Sequence, residues 1–232
     1  MAEVLVTGAN RGLGLEFVRQ LLARGDRVTA TCRAPGRAIE LVRLAGMHPG
    51  HLRVLPLDVA APRSIAELAR EAGMLELRID LLVHNAGVLP SGERFGNLDA
   101  KTLADAFATN AQGPLLLTQA LADRLVDGGK VVALGSSLGS MAQTQRFGTP
   151  SYAISKAALN MAVRQLGHAL APRGIAVFAL SPGWVKTEMG GAGADLEAAE
   201  SVAKMLAVID AARFDADAVG GFVSHEGEGL PW

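Results

Sequence analysis

Tyr152 and Lys156 stand four residues apart in the stretch "SYAISKAALN", residues 151–160, and Tyr152 is the only tyrosine of the chain. On a helix that spacing sends both side chains out of one face. The pair is then either an ordinary amphipathic surface pair or a phenol whose proton a nearby ammonium makes easier to remove. A second group with chemical meaning is "TGANRGLG", where Gly8, Gly12 and Gly14 follow a G-x-x-x-G-x-G spacing. Glycines there let the backbone turn sharply and approach a pyrophosphate, whose charge is met by free N–H groups at a helix start. That predicts a dinucleotide site, and the lysine-bearing phosphate loop of nucleoside triphosphatases is absent. A third group is "TCR". An NAD site usually offers a carboxylate at the end of the second strand, but here Cys32 and Arg33 occupy that place. With Arg11 in the glycine-rich turn, a 2′-phosphate would meet two guanidinium groups, so NADP(H) is expected in preference to NAD(H). Asp58, in "PLDVA", offers a hydrogen bond to an adenine amino group or, alternatively, a cap for a helix beginning near Pro62.

These groups need elements to hold them. Short aliphatic runs alternate with longer helical patterns: "EVLVT", "RVTATC", "LRVLPL", "IDLLVH", "KVVAL", "IAVFAL" and "GFVS" are strand-like. Between them lie patterns such as "LGLEFVRQLLARG" and "PRSIAELAREAG", and two long helices are expected at about 99–126 and 151–171. That rhythm predicts an α/β fold, a doubly wound parallel sheet of seven strands with helices on both faces, in one domain over residues 1–232. Pro114 is expected to kink the first long helix. The stretches after the fifth and sixth strands, "SLGSMAQTQRFGTP" and "PGWVKTEMGGAGADL", leave the carboxyl ends of strands, where ligands bind in such sheets.

Composition narrows the partners. Half of the 232 residues are apolar, 19% are charged and the formal net charge is −1 without blocks of like charge, which disfavours nucleic acid and anionic membrane surfaces. Small-molecule chemistry is the expectation. A lone Cys32 forms no internal disulfide, no basic and apolar leader is evident, and no apolar run approaches about 20 residues, so a cytoplasmic location is expected. His48, His51, His168 and His225 lack metal-ligand spacing, and no metal is expected.

Taken in order, "TGANRGLG", "LDV", "HNAG", Asn110, "GSS", "YAISK" and "SPGWVKT" resemble the short-chain dehydrogenase/reductase family over essentially the whole chain. "NRGLG", "GWVKTEMGG" and "GEGLPW" look most like its C-factor/sniffer-type carbonyl reductase branch. The resemblance implies a Rossmann-type fold and an NADP(H)-dependent reduction of a small carbonyl compound to an alcohol. A nucleotide-binding regulatory protein with little catalysis is the alternative. It implies Tyr152 as acid/base and Lys156 as its partner and a ribose ligand. Working at neutral pH asks the phenol to fall by roughly 3 from a pKa of about 10, about 4 kcal/mol of preference for the phenolate, for which a cation one turn away and an oxidised nicotinamide are physically adequate.

The same resemblance implies a relay role for Asn110, with satisfaction of helix backbone near Pro114 as the other reading. It puts a substrate-holding serine at Ser136, with Ser137 as the alternative register. Gly8, Asn10, Arg11, Gly12, Leu13, Gly14, Arg33, Asp58, Val59, Asn85, Ala86 and Gly87 fall on the adenosine and pyrophosphate side. Pro182, Gly183, Trp184, Val185 and Thr187 fall on the nicotinamide side, with Trp184 as pocket wall or packing residue. His84 stands at a strand end, where simple hydrogen bonding is favoured over catalysis. Residues 188–200 are expected to form a lid, Arg146 and Phe147 to shape the substrate mouth, and the two long helices to make a homodimer or homotetramer.

Overall fold

Seven strands and seven α-helices follow one another in a computed structural model that describes all 232 residues. The strands are β1 (Glu3–Val6), β2 (Arg27–Cys32), β3 (Leu52–Pro56), β4 (Ile79–His84), β5 (Leu125–Leu134), β6 (Ala176–Ser181) and β7 (Gly221–Ser224). The helices are α1 (Gly12–Ala23), α2 (Ile39–Met47), α3 (Pro62–Met74), α4 (Ala100–Phe107), α5 (Gly113–Ala120), α6 (Pro150–Leu170) and α7 (Ala198–Ala211). All strands pair in parallel in the order β3-β2-β1-β4-β5-β6-β7. The fold expectation therefore holds, including the number of strands.

Both faces of the sheet are covered, which is why its strands read as continuous aliphatic runs. Val4 and Val6 face one core with Phe17, Leu41 and Met205, from α1, α2 and α7. Leu5 faces the other with Ile65, Leu117 and Leu159, from α3, α5 and α6. Chain order reverses between β1 and β4, so the connections leaving their carboxyl ends diverge and open a crevice.

The first long helix does not run unbroken over 99–126. It widens into a π turn at Ala108–Gln112, resumes as α5 with Pro114 in its first turn, and gives way to a 3₁₀ turn and β5. Proline has no N–H to donate and crowds the preceding turn, so the irregularity falls immediately before Pro114. The second long helix, α6, appears within a residue of expectation. The fifth strand begins earlier than "KVVAL" because its pairing with β4 slips between Ile79 and Leu81 and accommodates Gly128 at φ +74°.

His84 closes β4 and is 3% exposed. Its Nε2 lies 2.7 Å from the Thr118 hydroxyl, which donates its one proton to the Pro114 carbonyl at 2.8 Å, so Nε2 must carry the imidazole proton. Burial holds its pKa down at about 3, and Nδ1 has no partner. His84 is thus a neutral tether between β4 and α5. Between its unfolded and folded pKa values the unfolded chain binds the extra proton, so this contribution to stability is present above about 6.5 and is lost as pH falls. From pH 7 to 5 the loss should be about 2 kcal/mol. Urea unfolding at both pH values should show that increment in the wild type and not in His84→Gln; an equal pH dependence of the two would refute the assignment.

Candidate active site

At the carboxyl edge of β1, Gly8 has φ +64°, and a Cβ there would lie 2.8 Å from the Ala86 Cα. A Cβ on Gly14 would lie 2.4 Å from the Asn85 amide nitrogen and 2.5 Å from the Gly8 carbonyl. The glycine-rich turn is therefore pressed directly onto the loop that leaves β4. Thr7, which the sequence reading passed over, joins the two: its hydroxyl accepts from the backbone N–H groups of Asn85 and Ala86, each at 3.0 Å. The Asn85 amide returns two hydrogen bonds, to the carbonyls of Thr7 at 2.8 Å and Gly8 at 3.0 Å. Arg11 precedes α1 without any side-chain cap, so first-turn N–H groups remain available to an anion.

A cleft of about 710 Å³ opens over this junction. Gly8, Asn10, Arg11, Gly12 and Leu13 line one part with Arg33, Asp58 and Val59; Asn85, Ala86 and Gly87 form the floor; Tyr152, Lys156 and Pro182 line another part, and Thr187 stands against Gly12. An elongated cleft with a capless helix start, a glycine cradle and basic side chains at one end fits a dinucleotide. Arg37 also lines it and was not anticipated, since only folding of the loop after β2 brings it beside Arg33.

Several expected lining residues stand elsewhere. Gly14 lies beneath the turn, where only a hydrogen fits. Gly183, at φ +78°, backs onto Leu196 and His225, and Val185 is buried in a parallel bridge with Leu196. Trp184 is 56% exposed and donates from Nε1 to the Gly190 carbonyl at 2.9 Å, so it braces the strap instead of walling the cleft. That strap, 184–197, is closed on itself: Asp195 and Leu196 N–H groups donate to the Trp184 carbonyl, and Lys186 N–H donates to that of Leu196 at 2.8 Å. The segment expected as a lid thus shortens, because residues from Ala198 onward already belong to α7. Arg11 is not free for a phosphate either, since its guanidinium pairs with Glu188 of the strap. Asp58 neither caps α3, whose N-cap is Ala61, nor stands alone; its Oδ1 accepts from Ala60 N–H at 3.0 Å and closes a local turn.

At the inner end, Tyr152 and Lys156 leave α6 together. The Lys156 ammonium is 5% exposed, donates to the Leu134 carbonyl at 2.6 Å and lies 5.5 Å from the centre of the Tyr152 ring. Burial lowers its pKa to about 8. Burial also raises that of Tyr152, opposed by a hydrogen bond with Ser136, so the protein's own groups do not produce the downward shift expected from the sequence. Desolvation outweighs the Ser136 hydrogen bond. Of the two serines, Ser136 meets Tyr152, whereas Ser137 starts an exposed 3₁₀ turn.

Asn110 sits in the π turn, fully buried. Its Oδ1 accepts from Val88 N–H at 2.8 Å, and its amide donates to the Val88 carbonyl and the Ser155 hydroxyl, both at 2.9 Å. It satisfies backbone, as one reading had it, but the backbone of the loop after β4 and not of its own helix.

The family model for short chain dehydrogenase matches residues 2–197. The chain belongs to that family. Among relatives, this dehydrogenase is 40% identical over 156 residues to the C-signal of Myxococcus xanthus, which spans 66% of this chain and 93% of that one. The structure of carbonyl reductase Sniffer of D. melanogaster covers both chains completely at 31% identity with a TM-score of 0.92. An NADPH-bound carbonyl reductase from chicken fatty liver is 36% identical, with a TM-score of 0.92 over 100% of this chain and 99% of that one. The branch resemblance drawn from the motifs holds. This short-chain dehydrogenase is an oxidoreductase.

Thr7 makes the dehydrogenase's cleft sensitive to one oxygen atom. Thr7→Val keeps the shape and strands two backbone N–H groups, which should cost about 1–3 kcal/mol. Chemical unfolding at neutral pH measures it, and a loss near zero would mean that the junction does not depend on this hydroxyl.

Proposed function

We propose that the protein is an NADPH-dependent carbonyl reductase that converts an aldehyde or ketone to the alcohol. The observation that carries this is that Tyr152, hydrogen-bonded to Ser136, and a buried Lys156 converge in a cleft whose glycine-rich turn and uncapped helix start suit a dinucleotide. Bound NADPH supplies the hydride to the carbonyl carbon. The Ser136 hydroxyl donates a hydrogen bond to the carbonyl oxygen and orients it, and Tyr152 O–H delivers the proton to that oxygen. A phenol whose pKa burial raises carries its proton at neutral pH, as a proton donor must. The phenolate left behind faces the Lys156 ammonium, which the Leu134 carbonyl holds in place. Asn110 contributes by fixing Val88 and, through Ser155, the first turn of α6 that bears Tyr152.

Preference for the phosphorylated cofactor follows from charge. Arg33 and Arg37 line the outer end of the cleft and form no ion pair, while no carboxylate stands at Cys32 to meet ribose hydroxyls. A 2′-phosphate finds two unpaired guanidinium groups there, and Arg11 becomes a third if it leaves Glu188. A regulatory protein that only bound the nucleotide would have no use for Ser136, Tyr152 and Lys156 together.

NADPH oxidation across a panel of aldehydes and ketones tests the reaction. Tyr152→Phe should keep NADPH binding within about twofold and lose at least roughly a hundredfold in kcat, the low end of what a positioned proton donor contributes; undiminished turnover would remove Tyr152 as the acid. For the cofactor, Arg33→Ala should weaken NADPH by about tenfold and leave NADH nearly unchanged, the difference expected when a charge-assisted contact to phosphate is lost. Equal weakening of both cofactors by titration would place Arg33 away from the 2′ position.

A further inference from the structure

The loop between β4 and α4 is tied twice to the chain around Tyr152, once to the start of α6 and once to the loop before it. In the loop between β4 and α4, a tight turn at 94–97 is closed by Asn97 N–H donating to the Arg94 carbonyl at 3.0 Å, with Gly96 at φ +91°. That turn holds Phe95 outward, 87% exposed. Two residues earlier, Glu93 reaches the start of α6, where the Ser151 hydroxyl donates to Oε1 and the Ser151 N–H donates to Oε2 at 3.3 Å. Ser151 is 1% exposed and directly precedes Tyr152. A carboxylate is well placed there, because the first turn of a 21-residue helix favours negative charge. The second joint is aromatic. Phe147, from the loop between β5 and α6, meets Phe95 edge to face, with ring centres 5.7 Å apart and planes at 85°.

Single exposed aromatic rings are ordinary, whereas two rings set edge to face beside the first turn of α6, which carries Tyr152, are a surface with a geometry. Leu138 and Met141 of the β5–α6 loop are also exposed, 51% and 73%, and Val88 and Leu89, from the loop that bears Phe95, line the cleft. Polar groups thus meet at Tyr152 while apolar groups stand on both loops beside it, the division expected where a ligand presents a polar centre and an apolar substituent.

We propose that Phe95 and Phe147, kept together by the Glu93–Ser151 clamp, form a recognition rim, and that the substrate is a carbonyl compound bearing an aromatic ring. The carbonyl half of this statement rests on the reductase reading; the ring half rests on the rim alone. Phe95 and Phe147 are specificity-determining residues, and Glu93 is a positioning residue that acts through its loop.

The test compares 3-phenylpropanal with propanal as substrates, and in parallel measures binding of 3-phenylpropanol by ligand-observed NMR titration. In Phe95→Ala and Phe147→Ala, both at exposed positions, the ratio of kcat/KM for the phenyl aldehyde to that for propanal should fall about tenfold, the worth of one good aromatic contact. Glu93→Ala should lower the same ratio, and Glu93→Gln, which keeps an acceptor for the Ser151 hydroxyl, should restore most of it. An unchanged ratio in both phenylalanine variants overturns the rim. If the wild type reduces neither aldehyde, the reductase reading fails and the titration decides the rim: weaker binding of 3-phenylpropanol in both phenylalanine variants supports it, and equal binding overturns it.

Discussion

Lys156 holds an ammonium group with 5% exposure, no carboxylate partner and one carbonyl, that of Leu134, to receive its proton. Taking a charge out of water at such a place is expensive, and the burden shows as a pKa drawn down to about 8. Much of the local architecture serves to make this arrangement feasible. Leu134 ends β5, so the hydrogen bond pins α6 to the carboxyl edge of the sheet at the level of the cleft floor. A Cβ on Gly139 would lie 2.7 Å from the Lys156 Cβ and 2.8 Å from its backbone carbon. Only glycine lets the turn that follows Ser136 pass so close to α6, and that close passage brings the Ser136 hydroxyl to the phenol.

The cofactor end and the chemical end are mechanically continuous. Thr7 and Asn85 lock the glycine-rich turn to the loop after β4, and three residues beyond Asn85 the same loop is gripped at Val88 by Asn110. Asn110 in turn holds Ser155, whose hydroxyl donates to the Tyr152 carbonyl at 2.7 Å. A path of hydrogen bonds and short chain segments thus links the uncapped start of α1 to the helix that carries Tyr152. Its links run between backbone and short polar side chains, or, at Asn110 and Ser155, between two such side chains, contacts that fix distance with little entropy to lose.

The parallel seven-stranded sheet and the grouping of Tyr152 with Lys156 were legible in the sequence because they follow from period and spacing: aliphatic runs between helical patterns, and two residues four apart. Contacts made by folding were not legible. Arg37 joins the cleft through the path of a loop, and Arg11 is diverted to Glu188 across 177 positions. Trp184 could be pocket wall or packing residue by its neighbours in sequence, and only the folded strap shows its indole bracing Gly190. The direction in which the protein's own groups move Tyr152 was not legible for a related reason. Spacing reports that a cation is near, but not that both groups are dry, and desolvation is the larger effect here.

The π turn at Ala108–Gln112 places a fully buried Asn110 against two other segments, in a stretch where an α-helix would distribute its side chains differently. A π turn is one residue wider than an α turn, so the surplus residue is what aims the amide. This part of the chain is consequently more exposed to changes in length than to changes in residue type. Loss of one codon between positions 108 and 112 would remove that surplus residue, let the helix run on as regular α-helix, and turn the Asn110 amide away from Val88 and Ser155. Substitution at the half-buried Ala108 or Gln112 keeps the count of residues and so leaves the turn intact.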